Sequence, residues 1–206
     1  MAKELNRAVT ASAQADGDML YNVVRVEIEE IDPSTGNAKP SGATYKIKCD
    51  SEIGLEPVVN EGQVVVRRDS KSILARAKEE DLLESMNLTL TSVRFPVEVL
   101  AIVQGGTVKK GTGEDASKIV GYSAPTMSEG VSNKKQFKLT AYVENYSGDD
   151  VVNYVKFTFY KCKGKPISLD FKKDFFAPQF LIQATENTKI SKPIYEFDYI
   201  ATLPTA

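Results

Sequence analysis

The sequence predicts a mainly β fold, an antiparallel β-sandwich or barrel with one short flanking α-helix and one long loop. Seven segments alternate apolar and polar residues with the two-residue period of a half-buried strand. One short segment carries the start and stop signals of a helix, and turn-forming residues separate many of the others. The 206 residues, 42% of them hydrophobic, are enough to bury a sizeable core.

The first two strand-like segments, residues 20–31 and 43–50, are predicted to pair as a hairpin. The stretch between them, "DPSTGNAKPSG", is dense in turn residues. The face expected to point to the core holds Val24, Val26, Ile28, Tyr45, Ile47 and Cys49. The opposite face, which carries mixed charge, holds Arg25, Glu27, Glu29, Lys46 and Lys48.

Residues 51–84 lack sustained alternation and are predicted to form a long assembly loop outside the sheet. Loops of this length without regular structure are usually functional or disordered. The stretch "RRDSKS" is basic enough to suggest nucleic acid, but it lacks interleaved aromatic residues for base stacking. We favour a solvated tip that meets acids on another subunit. The candidate inter-subunit residues are Arg67, Arg68, Asp69, Lys71, Glu79 and Glu80.

Five further strands are predicted at residues 85–93, 135–145, 151–162, 175–185 and 194–201. In each, alternate apolar side chains share one side of the strand. In chain order these are Met86, Leu88, Leu90, Phe137, Leu139, Ala141, Val143, Val155, Phe157, Phe159, Phe176, Phe180, Ile182, Ala184, Tyr195, Phe197 and Tyr199.

The stretch "FPVEVLAIVQGG", residues 95–106, predicts the short helix. Pro96 suits a first helical position, Glu98 suits the first turn, and Gly105 or Gly106 can end the helix in a left-handed conformation. The body is rich in β-branched residues and too short to be stable alone, so it is expected to dock on the sheet. The docking side chains are Val99, Leu100, Ile102 and Val103.

Composition argues against most enzyme classes. The chain has no histidine, which removes the commonest general base and the commonest metal ligand. Cys49 and Cys162 are far apart and have no CxxC spacing, so they predict buried, reduced thiols and no zinc site. We therefore expect no catalytic residue, no metal and no cofactor. The net charge of −2 suggests neither a nucleic-acid binder nor a membrane-surface binder.

The chain is expected to fold as a single domain over residues 20–201. A flexible N-terminal arm, residues 1–19, and a short C-terminal tail, residues 202–206, would flank it. The first residues contain no apolar core of a secretory signal, and no run of about 18 apolar residues exists to span a membrane.

Two further stretches resemble binding loops and are better explained otherwise. "GTVKKGTG", residues 106–113, has the wrong residue after its second glycine for a phosphate loop and follows a helix rather than a strand. A flexible loop is the better interpretation. "ENYSGDD", residues 144–150, lacks the spacing of a calcium loop and predicts a solvated turn between two strands.

The run from Glu61 to Val108 resembles the core signature of major tail proteins, the tail tube proteins of long-tailed bacteriophages. In that family a strand of the "LTLT" kind leads into a helix of the "F-x-P-E-V-L-x-x-x-x-GG" kind. Here "NLTLTSVRFPVEVLAIVQGG" follows that order with slightly different spacing. The flanking strands extend the resemblance over residues 20–200.

The resemblance implies a tail-tube-like β-sandwich subunit that assembles as stacked hexameric rings around a channel for DNA. The implied partners are further copies of the chain, a tape-measure protein, tail terminator and baseplate proteins, and viral DNA that passes without tight binding. The implied location is the tail of the virion, assembled in the host bacterial cytoplasm and involving no membrane.

Two other functions remain open from the sequence. One is another ring component on the same fold, such as a tail terminator or the tube of a contractile device. The other is a β-sandwich binding module that recognises carbohydrate or protein. Electron microscopy of concentrated protein separates them, since tubes, single rings and monomers would each favour a different function.

Overall fold

The computed structural model describes residues 19–40, 42, 44–48, 52–92, 96–128, 135–167 and 178–204. This part of the chain forms twelve strands, one α-helix and a short 3-10 turn. In chain order they are β1 (Met19–Ile31), β2 (Thr44–Lys48), β3 (Glu52–Asn60), β4 (Val64–Arg68), β5 (Ile73–Lys78), β6 (Leu82–Thr91), α1 (Val97–Val103), β7 (Thr107–Lys110), the 3-10 turn (Gly113–Asp115), β8 (Ile119–Ser123), β9 (Gln136–Ser147), β10 (Asp150–Gly164), β11 (Gln179–Ala184) and β12 (Glu196–Ile200).

Eight of these strands form one antiparallel sheet in the order β2-β1-β9-β10-β11-β6-β3, and β12 also pairs with β10. The long strand β10 pairs with β9 along one edge, and β12 and β11 share its other edge. At one end of the sheet, β3 also approaches β1, which lies near the other end. The sheet is therefore curled. The prediction of a mainly β, antiparallel fold with one short helix is confirmed.

All seven predicted strands are present, and β1 and β2 pair as predicted. Two predictions of irregular structure were wrong. Residues 52–84 contain β3, β4, β5 and the start of β6, and the "GTVKKGTG" stretch contains β7, which pairs with β8. Both regions are mostly exposed on either face, so their strands lack the apolar alternation that one-sided burial imposes.

The core lies on the concave side of the sheet. Fully buried side chains include Val26 and Ile28 of β1, Leu139 of β9, Phe159 of β10 and Ile182 of β11. One core position differs from the prediction, because Val23 packs against the core where Val24 was expected. Register shifts around Val23 and Val24 explain the change, since a bulge inserts one extra residue into a strand. Cys162 is free and buried, and burial raises the pKa of its thiol. Cys49 and Phe176 lie outside the described residues.

Helix α1 closes the core by packing against β10 and β11. The side chains of Val99, Leu100, Ile102 and Val103 are buried to 2% exposure or less. Pro96 is the residue before the helix rather than its first residue, and its extended backbone suits the restricted angle of proline. No helix in the described part of the chain has the length and apolar character needed to cross a membrane.

The double glycine ends α1 because both residues have the positive φ that other residues avoid. Gly105 has φ 88° and Gly106 has φ 86°. The Tyr122 hydroxyl of β8 donates a 2.6 Å hydrogen bond to the Gly105 carbonyl oxygen. A Cβ atom at Gly106 would overlap the Ser123 carbonyl oxygen. The chain is thus turned sharply from the helix into the β7–β8 hairpin.

Gly164 sets how closely β10 approaches the end of the helix, and we expect Gly164→Ala to destabilise the protein by about 1–3 kcal/mol or more. An added Cβ atom would overlap the carbonyl group of Val103, which cannot move without disturbing α1. Gly121→Ala in β8 is the matched control, because its Cβ would lie 3.7 Å from a flexible Lys109 side chain. Denaturant unfolding measures both. Equal unfolding free energies for the two variants would contradict the close packing of β10 on the helix.

Candidate assembly surfaces

A two-stranded hairpin, β4–β5, projects from the end of the β3–β6 pair. We call residues 64–78 the arm. Asn60 of β3 pairs with Leu82 of β6, and a short break separates this pair from the arm. Within the break, the Gly62 amide donates to the Asp81 carboxylate at 3.0 Å, and the Glu79 amide donates to the Gln63 carbonyl oxygen at 3.0 Å. Hydrogen bonds therefore hold the joint together, although the arm is a separate two-stranded sheet from the eight-stranded sheet that contains β3 and β6.

The six residues predicted as inter-subunit contacts divide between the two ends of the arm. Arg67 and Arg68 end β4, while Asp69 and Lys71 lie in the turn that follows. The last two, Glu79 and Glu80, lie at the joint, where the arm begins. All six are exposed. The structure therefore places basic residues near the tip and acidic residues at the base.

Acids gather at the joint, and we call Glu61, Glu79, Glu80 and Asp81 the acidic collar. Asp81 is satisfied within its own chain, since it pairs with Lys78 at 3.0 Å. The Gly62 amide hydrogen bond and the Lys78 hydrogen bond together lower the pKa of the Asp81 carboxyl. Within the described residues, no ion pair involves Glu61, Glu79 or Glu80.

The arm and joint also expose apolar side chains that the sequence analysis did not single out. Val65 is 56% exposed and Leu74 is 68% exposed. The other exposed apolar side chains of the arm and joint are Val59, Val64, Ile73, Leu82 and Leu83. An isolated two-stranded hairpin is only marginally stable in water, and this one packs no buried side chain of its own. The run "VVV" at the start of β4 was the signal in the sequence that could have revealed this surface.

A second exposed surface lies on β12, which is an edge strand paired only with β10 among the described residues. Tyr195, Phe197 and Tyr199 share one side of this segment, as predicted, and are 38–55% exposed. The Phe197 ring lies 5.7 Å from that of Phe157, so the exposed aromatic row continues from partly buried core residues. Aromatic side chains of this kind are enriched in protein–protein interfaces.

The convex face of the sheet, turned away from the core, carries the mixed charge that the sequence predicted. We call it the polar face. Three of its lysines are paired: Lys138 contacts Glu29, Lys156 lies 3.7 Å from Asp198, and Lys46 lies 3.9 Å from Glu27. The side chain of Lys48 is outside the described residues. Neighbouring opposite charges reduce the positive potential that this face presents to an anion.

The C-terminal segment crosses part of the polar face and buries Arg25, which was expected to be exposed. The Arg25 guanidinium donates a 2.9 Å hydrogen bond to the Pro204 carbonyl oxygen, and it stacks over the Tyr142 ring at 4.7 Å. Glu27 provides a nearby charge at 3.2 Å. A contact between residues 179 positions apart could not be read from strand periodicity.

The described residues contain no group of three or more cysteine and acidic side chains arranged to hold a metal ion. An open groove of about 540 Å³ lies between Leu83 at the base of the arm and the 186–195 turn, with Pro193, Ile194 and Tyr195 among its lining residues.

In comparisons with known proteins, no protein-family model and no curated protein matches the chain.

Proposed function

We propose that this protein is the structural subunit of a bacteriophage tail tube. It would self-assemble into stacked rings, hexameric as the sequence resemblance implies, around a channel through which DNA passes. Further copies of the same chain are its main partners, and the tape-measure, terminator and baseplate proteins would contact the finished tube.

One structural observation carries the proposal more than any other. The arm exposes apolar side chains on a two-stranded hairpin that buries none of them in its own subunit. Apolar surface of this kind marks a protein contact. A hairpin that extends away from the sheet is suited to reach a neighbouring copy.

Two other observations support the proposal. The "LTLT" strand is the second half of β6, and it precedes α1 and the Gly105–Gly106 turn in the order that the family resemblance requires. The strands β2, β3 and β12 each have one partner among the described strands. Edge strands that pair between subunits into a closed ring would lose their open edges.

Tubes made from this chain are expected to bind duplex DNA hardly at all, even at low salt. A conduit that held phosphates with free Lys and Arg would retain its cargo. Three lysines of the polar face, Lys46, Lys138 and Lys156, have acidic neighbours instead. Salt titration of DNA binding to preformed tubes, followed by fluorescence anisotropy, is the measurement, because screening is weakest at low salt.

The matched variant for that titration is Glu29→Lys with Asp198→Lys, which frees Lys138 and Lys156 and adds two cations to the polar face. If this face lines the channel, the variant tubes gain DNA binding that weakens steeply with salt. Submicromolar, salt-sensitive binding by wild-type tubes would instead contradict the passive conduit. Electron microscopy of concentrated protein is the direct test of tube formation itself.

A further inference from the structure

We infer that the basic tip of one arm binds the acidic collar of a second copy of this chain. The basic tip is Arg67, Arg68 and Lys71. This inference rests on the proposed self-assembly and names the contact that links one subunit to the next.

Charge is segregated along the projecting hairpin. Residues 64–78 contain five cations and one acid, whereas residues 52–63 and 79–84 contain seven acids and no cation. Among the described residues, one ion pair joins the basic segment to the acidic segments, and it lies between Lys78 and Asp81 next to the joint. On a surface where charge serves only solubility, positive and negative side chains are usually interspersed. The hairpin does not show this mixture.

The basic tip of an arm cannot reach the acidic collar of the same chain. The strands of the arm are extended and paired from Val64 to Lys78. At about 3.3 Å per residue, Arg68 lies roughly 20 Å from Glu61 along the arm. No ion pair to Arg67, Arg68 or Lys71 occurs within the described residues. The complementary charges can therefore meet only between two molecules.

Apolar side chains accompany the charges at both ends. Ile73 and Leu74 follow the tip turn, and Leu82 and Leu83 follow the collar, and all four are more than 40% exposed. A contact between the tip and the collar would cover apolar surface and pair opposite charges together. Such a contact joins two different patches, so it is able to repeat head-to-tail from copy to copy, as stacked rings require.

The test uses two charge-reversed variants of the full chain. The tip variant carries Arg67→Glu, Arg68→Glu and Lys71→Glu, and the collar variant carries Glu61→Lys, Glu79→Lys and Glu80→Lys. Sedimentation velocity is measured for each variant alone, for an equal mixture and for wild type. Because like charges face each other in each variant alone, the concentration needed for association should rise about tenfold or more. The mixture should associate as wild type does, since every tip then finds a collar of opposite sign.

The outcomes separate this inference from the proposed function. Association of both variants at the wild-type concentration would overturn the charge contact and leave tube formation standing. Charge-dependent oligomers that are not tubes would support the contact and contradict the tube. A wild-type protein that stays monomeric at every concentration would overturn both. All variants should keep the wild-type circular dichroism spectrum and unfolding midpoint, because every substituted side chain is exposed.

Discussion

Replacing residues 63–80 with a short Gly-Ser link is expected to abolish tube assembly and to leave the rest of the protein folded. The ends to be joined are already close, because the Gly62 amide contacts the Asp81 carboxylate at 3.0 Å and Asn60 pairs with Leu82. The deleted segment contributes no fully buried side chain, and closing a short loop has a small entropic cost. The measurements are thermal unfolding for the fold and electron microscopy for assembly.

The unfolding measurement is the control in this deletion experiment. A shortened chain that unfolds cooperatively near the wild-type temperature but forms no tubes would assign the arm to assembly. Long tubes from the shortened chain would show that the arm does not hold subunits together, and the candidate contacts at Arg67, Arg68, Asp69, Lys71, Glu79 and Glu80 would then be wrong.

Leu100→Ala is expected to lower the free energy of unfolding by about 2–5 kcal/mol. Leu100 is 2% exposed, and it belongs to the core cluster that joins α1 to the sheet. A short helix rich in β-branched residues has little stability of its own. Loss of this side chain should therefore weaken the docking of the whole helix, which denaturant unfolding would detect.

Glu98→Ala provides the matched control in the same helix. Glu98 lies in the first turn of α1, is not buried and has no ion pair among the described residues. It interacts chiefly with the helix dipole, so its removal should cost under about 1 kcal/mol. Comparable losses for Leu100→Ala and Glu98→Ala would contradict the packing of α1 into the core.

Sequence patterns predicted the strands that are buried on one face. In β6, for example, apolar residues alternate because Leu88 and Leu90 face the core, whereas Asn87 and Thr89 face the partly exposed side. The helix was equally predictable, because two glycines and a proline bound its apolar body. Each of these signals is local, since it depends on residues within one element.

The arm could not be predicted in the same way. Both of its faces are exposed, so Val64, Val65 and Val66 follow one another without alternation. Its pairing with β5 is set by cross-strand hydrogen bonds rather than by burial. The sequence did predict that charged contact residues lie in this region. Their separation into a basic tip and an acidic collar became visible only with the hairpin structure. Likewise, the burial of Arg25 depends on the distant Pro204.

Electron microscopy of the purified chain over a range of concentrations tests the central claim most directly. The arm and the open sheet edges are proposed to be satisfied only between copies, so assembly should require nothing but the chain itself. We expect hollow tubes of uniform diameter built from stacked rings, in numbers that rise with protein concentration. Single rings that never stack would favour a tail terminator, and monomers under every condition would contradict the account.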